Sequence, residues 1–270
     1  MKISIVTPSY NQGRFIWRCI ESVKNQEGDF AIEHIILDNC STDSTTNLLA
    51  QYKEEPGNIE VIIFSEKDGG QSAALNKGFE IASGEIIGWL NADDYYDTAI
   101  VGEAAKQFEI SDQIDIVYFD YYIIDENDKI VKLQIETDFD LEVLKYYGCN
   151  MPTTTMFFRK KIFENGIFLN EALHYSMDAD FFIRLGQKGY TFKHVNKPLA
   201  YFRQHANAKS IKDKELQKAE GFKVRHTLCF PNFSKTNAQS LTRALKRIYY
   251  LKRIYLKVIA YYKYYCQQFL

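Results

Sequence analysis

Ile86-Ile87-Gly88-Trp89-Leu90-Asn91-Ala92-Asp93-Asp94 is the stretch on which the reading of this chain turns. Its first five residues are nearly all apolar, as in a strand buried on both faces, and they run directly into amide and carboxylate side chains. Three earlier segments share the design. Lys2 to Pro8 is a β-branched run ending in Ser9, Tyr10 and Asn11, Ile35 to Leu37 ends at Asp38 and Asn39, and Val61 to Phe64 leads to Asp68-Gly69-Gly70. Helical spacing fills the gaps: Phe15, Cys19, Ile20 and Val23; Leu48, Leu49 and Tyr52 behind the capping candidates Ser41 to Asp43; then Ala73, Ala74, Asn76, Lys77 and Phe79. Four βα repeats predict an α/β fold, a mostly parallel sheet with helices on both faces. In such a sheet ligands bind beyond the carboxyl ends of the strands, so these polar clusters should converge.

Past Ile114 the pattern becomes a strand pair, Ile116 to Ile124 and Lys129 to Leu133, joined by the turn-like Asp125-Glu126-Asn127-Asp128. A strand over Thr153 to Phe158, a helix over Met177 to Leu185, and short strands at Phe192 to Val195 and Leu199 to Phe202 follow. No Pro/Gly-rich linker interrupts the chain before residue 205, which predicts one compact domain over residues 1–220. Residues 231–240 are the best linker candidate, leading into a final helix.

The 270 residues are 46% apolar and 25% charged, which excludes intrinsic disorder, collagen and a small disulfide scaffold. No stretch reaches the roughly 18 apolar residues of a membrane span, and Met1 to Tyr10 lacks a signal-peptide pattern, so a cytoplasmic location is expected. Cys19, Cys40, Cys149, Cys229 and Cys266 form no metal-type spacing and are expected as incidental thiols. The net charge of −2 hides an asymmetry: residues 221–270 hold ten Lys and Arg and no acid, leaving −12 on residues 1–220. A basic tail on an acidic body points to an anionic partner for the tail.

Asn91, Asp93 and Asp94 offer oxygen ligands at an open strand end, which suits a hard divalent cation that also takes substrate phosphates. Asp93 and Asp94 would equally well start the next helix or shape a turn. GxGxxG, GxxxxGK[ST] and GxSxG motifs are all missing, which disfavours dinucleotide oxidoreductases, P-loop enzymes and serine hydrolases.

Five segments in order, TPSYN (Thr7 to Asn11), DNCSTDST (Asp38 to Thr45), EKDGGQSAALNKGF (Glu66 to Phe79), GEIIGWLNADD (Gly84 to Asp94) and SMDADFFIRL (Ser176 to Leu185), resemble the motifs of inverting family 2 glycosyltransferases. The resemblance covers residues 1 to about 205. It implies a GT-A, Rossmann-like fold, with a nucleotide-binding half over about 1–110 and an acceptor-side half over about 111–220. It also implies a nucleotide-diphospho-sugar donor, a UDP-sugar or a related one, and a Mn2+ or Mg2+ ion. Carried over residue by residue, it places Pro8, Tyr10 and Asp38 at the nucleoside, with Thr7 and Asn39 adjacent and Asp68 on the nucleotide side. Asn91-Ala92-Asp93 matches the metal-binding Asp-x-Asp with Asn first, making Asp93 the direct ligand and Asn91 a donor-binding group. Asp178 inherits the catalytic base, although Met177 stands where the family has Glu. Arg203 and His205 resemble a late motif near the diphosphate or metal. Residue chemistry alone allows blander roles: Asp38 as a helix cap, Tyr10 as a packed aromatic, Asp180 as an ion-pair partner of Arg184, and His205 in a solvated loop. His34, His174, His194 and His226 are expected to be structural or exposed.

In the tail, Leu241, Leu245, Ile248, Leu251, Tyr255 and Val258 share one helix face, and Arg243, Lys246, Arg247, Arg253 and Lys257 the other. With its many tyrosines this amphipathic helix suits the anionic inner face of a membrane, where a lipid-linked saccharide acceptor would be. The alternative is packing of the apolar stripe on the body, with the charges in water. No nucleic-acid motif accompanies the basic charge. The function expected is a metal-dependent transfer of sugar to an acceptor hydroxyl in polysaccharide or glycolipid assembly. The rivals are a sugar-nucleotide nucleotidyltransferase and an inactive nucleotide-sugar-binding scaffold.

Overall fold

The computed structural model describes residues 1–148, 151–206 and 213–267. Its first half is the expected alternation: β1 (Lys2–Ser9), α1 (Ile16–Lys24), β2 (Ala31–Asp38), α2 (Thr45–Glu54), β3 (Glu60–Ser65), α3 (Gln71–Ile81) and β4 (Ile86–Trp89). Then come β5 (Tyr95–Tyr96), α4 (Ile100–Ile110), β6 (Ile116–Ile124), β7 (Ile130–Gln134), α5 (Leu141–Tyr146), β8 (Phe157–Arg159), α6 (Lys161–Glu164), α7 (Met177–Gln187) and β9 (Phe192–Arg203). Two helices close the chain, α8 (Lys214–Cys229) and α9 (Lys235–Gln267).

The strands form one sheet in the order β3-β2-β1-β4-β8-β6-β9-β5, with β7 paired to β6. All pairings among β1 to β4 are parallel, as are β6 and β9; antiparallel partners enter through β5, β7 and β8. Period-two alternation explains why β4 is apolar throughout. Ile87 and Trp89 face the core under α3 and α7, whereas Ile86 faces the core under α4. Gly88 between them has no room to grow, because a Cβ there would lie 2.8 Å from Ile5 Cδ1 and 3.0 Å from Phe157 Cε1.

Several boundaries differ from expectation for identifiable reasons. β2 begins before its apolar run because Glu33 and His34 are buried with partners. Glu33 accepts from Ser4 Oγ at 2.6 Å and Ser83 Oγ at 2.7 Å, and His34 lies between Thr7 Oγ1 and Tyr52 Oη. Thr153–Thr155 is a 3-10 turn rather than strand, its Thr155 hydroxyl bonded back to Pro152 O at 3.2 Å. The two short strands after Phe192 are one, since register shifts opposite Phe119 and Asp120 carry β9 past Pro198. The linker shrinks, because α9 starts at Lys235, and the boundary expected at 220/221 falls inside α8. Cys19, Cys40, Cys229 and Cys266 are free thiols; Cys149 lies outside the described residues.

The tail lies on the body, but in the reverse sense of the alternative packing named above. Lys252, Arg253, Lys257 and Lys263 make the contacts, not the apolar stripe, while Arg243 and Arg247 stay exposed. Lys257 reaches Ile135 O and sits 3.6 Å from Glu136, Lys263 pairs with Asp138 at 2.7 Å, and Lys252 pairs with Asp140. Arg253 donates to Tyr147 Oη at 3.2 Å, while Ala260 and Tyr264 bury against Ile135. The acidic strip of the body thus takes up the lysines that set the tail apart in the sequence.

Candidate active site

The ends of β1, β2 and β3 are stitched together by short polar side chains. Asp38 is 1% exposed; its carboxylate accepts from Ser41 Oγ at 2.5 Å, Ser41 N at 2.9 Å and Ser65 Oγ at 3.1 Å. Asn11, at φ 52°, accepts from Thr42 N at 2.9 Å and donates its own N–H to Ser41 Oγ. Asn39 accepts from Asp68 N at 3.1 Å, and Asp68 in turn accepts from Gly70 N at 2.8 Å just ahead of α3. These bonds fix the loop shapes that border the strand ends. Pro8 is half-buried and Tyr10 is exposed, so the tyrosine ring is available there to a planar ligand. Thr7, expected beside the nucleoside, is fully buried and its hydroxyl is paired with His34 at 3.0 Å, so its side chain is turned into the fold and away from the rim.

At the end of β4 the polar residues divide into holders and presenters. Asn91 Oδ1 accepts from Gln71 Nε2 and Trp89 Nε1, both at 3.1 Å. Asp94 is buried and accepts from Arg203 N at 2.8 Å and from the Thr154 hydroxyl. Burial and then the charge of Asp93 push the Asp94 carboxyl up to about 8. The Arg203 guanidinium is also buried. It donates to Asp93 O at 2.8 Å, to Asp125 O at 3.0 Å and to Asp128 Oδ1 at 2.5 Å, and it lies over the Phe15 ring. Arg203 therefore clasps the Asn91–Asp94 loop to the β6–β7 turn from behind. Asp93 itself points out, half-buried, with Oδ2 3.1 Å from His205 Nε2. The two residues expected at the metal are thus brought together across 112 positions of sequence.

Asp178 is the second residue of α7. One carboxylate oxygen accepts from Ala179 N at 2.7 Å, and burial pushes its pKa up to about 6, with nearby Glu220 adding to the rise. Asp180 pairs with Arg184 at 2.8 Å, the structural role its spacing suggests. A short path joins Asp178 to the β4 loop around the N-terminus of α3. Gln71 bonds Asn91, and its neighbour Ser72 donates to Met177 Sδ at 2.8 Å and to Leu173 O at 3.2 Å. Gly69, Gly70, Gln71 and Ser72 line a narrow crevice with Leu173, His174 and Met177.

Glu220 escaped the sequence reading. It sits on α8 and accepts from three successive amides, His174 N at 3.0 Å, Tyr175 N at 2.6 Å and Ser176 N at 2.7 Å, which form the lead-in to α7. Burial works against its charge, yet these amides hold its carboxyl below the usual range. The sole signal in the sequence is that Glu220 is the last acidic residue of the chain.

The model of the family described as glycosyl transferase family 2 matches residues 4–167, and the chain belongs to this family. It is 30% identical over 219 residues to an uncharacterized glycosyltransferase of Nostoc, covering 76% of this chain and 65% of that one. A putative teichuronic acid biosynthesis glycosyltransferase of Bacillus subtilis, TuaG, is 27% identical over 248 residues, or 86% of this chain and 94% of its own. Among solved structures, S. aureus TarS in complex with UDP-GlcNAc superposes with a TM-score of 0.67 at 18% identity, covering 91% of this chain and 71% of that one. That likeness shows the shared fold.

Proposed function

We propose that this chain transfers a sugar from a nucleoside-diphosphate sugar, a UDP-sugar, to an acceptor hydroxyl with inversion, in the assembly of a polysaccharide or glycolipid. One observation carries the reading: the start of α3 bonds both sides of the site, Gln71 to Asn91 two residues before the His205-paired Asp93, and Ser72 to Met177 immediately before Asp178. The nucleoside occupies the rim made by Pro8, Tyr10, Asp38, Asn39 and Asp68, and Asn91 orients the donor. Asp178 takes the proton of the acceptor hydroxyl as that oxygen bonds to the anomeric carbon and the bond to the diphosphate oxygen breaks. One base suffices for such a displacement, unlike hydrolysis by a carboxylate pair. Names of the relatives support the substrate class: TarS binds UDP-GlcNAc, and TuaG is assigned to teichuronic acid synthesis.

Among the described residues no three His, Cys, Asp or Glu side chains cluster at a metal spacing. The donor set still fits Mn2+ or Mg2+, which bind through one or two protein ligands and fill their remaining positions with phosphate oxygens and water. Asp93 and His205 are those ligands in this reading, and the ion would neutralise charge on the departing diphosphate.

No described helix is long and apolar enough to cross a membrane. The location proposed is peripheral, on an anionic cytoplasmic membrane face where a lipid-linked saccharide is the acceptor, with Arg243 and Arg247 of the tail exposed to it. Deleting residues 241–270 should then release the protein from anionic liposomes, and equal co-sedimentation would refute this location. The transfer reading is tested by a thermal-shift screen of nucleotide sugars with Mn2+, since a ligand of the folded state raises its melting temperature. A UDP-sugar that stabilises the wild type but loses its metal dependence in Asp93→Ala is the expected result. Stabilisation by none of the nucleotide sugars would overturn the proposal.

A further inference from the structure

The outward face of α9 carries a pattern that neither the body nor the reaction uses. Ile248, Leu251, Tyr255, Val258, Tyr262 and Tyr265 follow one another at spacings of three, four, three, four and three residues, and each is between 54 and 72% exposed. Leu241 and Ala244 extend the pattern upstream. This is the 3.5-residue period of a coiled-coil seam, and Tyr250, Ile254 and Tyr261, 37 to 49% exposed, widen it on one side. The residues that hold α9 to the body, Arg253, Lys257, Ala260 and Tyr264, lie on the opposite side of the helix, so docking leaves the seam facing solvent.

We propose that a second copy of this chain covers the seam, the two α9 helices packing antiparallel about a two-fold axis. Area supports a second copy. Six side chains of this size and exposure, at on the order of 100–150 Å² each, offer about 700 Å² per copy, close to the ~800 Å² per partner of a standard interface. Charge sets the direction. In heptad terms Arg247 and Lys252 flank the seam, and a parallel pair places Arg247 of one helix against Lys252 of the other. Antiparallel pairing separates them and sets Ile248 against Tyr265, Leu251 against Tyr262 and Tyr255 against Val258 of the other copy. Lys252, Lys257 and Lys263 are engaged by Asp140, Glu136 and Asp138, which leaves Arg243 and Arg247 as the tail's contacts for an anionic surface.

Light scattering on the full chain during size exclusion tests this, at tens of micromolar and without lipid. The expected mass is twice the 31.5 kDa of one chain. Leu251→Lys, at a position 67% exposed in the single chain, should give a folded monomer with an unchanged circular dichroism spectrum. Leu251→Lys combined with Tyr262→Glu should restore the dimer, because those positions meet only between antiparallel copies. A wild-type monomer overturns the proposal. So does a dimer that Leu251→Lys leaves intact, and so does a monomer that floats with zwitterionic phosphatidylcholine vesicles until Leu251 is replaced, which would make the seam a lipid-facing surface.

Discussion

The Asn91–Asp94 loop and helix α9 place charge in opposite ways. In the loop, the Asp94 carboxylate goes inside and its partners are brought to it: Arg203 N and Thr154 serve Asp94, while the Arg203 guanidinium is buried against Asp93 O and Asp128. In α9, Lys252 and Lys263 settle on acids at the surface of the body, Lys257 reaches the buried Glu136, and most of the large apolar residues are left outside. The difference teaches that hydrophobicity alone does not choose the buried face. A face with charge partners waiting on the body can be the one that docks, provided the apolar face has another surface to meet.

The contrast is broken hardest at the active-site end. Asp178→Asn is expected to lower turnover by about 10²–10⁴ while donor binding measured by titration stays intact, since it removes a base and leaves the loops in place. Near-wild-type transfer would take Asp178 out of the mechanism. For the wild type, a base with its pKa raised to about 6 must be ionised to act. Turnover should therefore fall as pH drops through about 6, whereas an unperturbed aspartate would hold its rate down to about 4.

Arg203→Met tests the buried side of the comparison. It leaves two carbonyls without their donor and frees the half-exposed Asp128 to solvent, and should cost about 1–3 kcal/mol in urea unfolding. A loss below about 1 kcal/mol would mean that the clasp is ornamental. A smaller effect is expected from Glu220→Gln, which keeps the shape but weakens acceptance from the three amides before α7. Turnover should drop about tenfold. The acid limb should move to lower pH, because a negative charge that raises the Asp178 pKa is gone. An unmoved limb would limit Glu220 to stability. The smallest change belongs to the surface: Lys263→Ala, on a pair about half exposed, should alter stability by at most ~1 kcal/mol and less in high salt.

Legibility in the sequence followed the range of the forces involved. β1 to β4 and α1 to α3 were readable because their burial patterns repeat every two or about 3.6 residues, and Asp180 could be paired with Arg184 because i to i+4 contacts are local. Thr153–Thr155 was misread as strand because side-chain bonds to nearby backbone compete with sheet pairing. Glu33 and His34 hid the start of β2, since a buried polar residue looks exposed until its partner is known. The partners of Arg203 lie 75 to 110 residues away, and no spacing rule reaches that far.

By itself, then, the chain of residues determined the βα alternation, the polar strand ends and the separation of apolar from basic positions along the tail, all properties of neighbours. Only the tertiary structure decided that His205 meets Asp93, that Glu220 grips the entry to α7, and that α9 turns its lysines inward. Those outcomes depend on strand order and on where the acids of the body gather, which long-range packing sets.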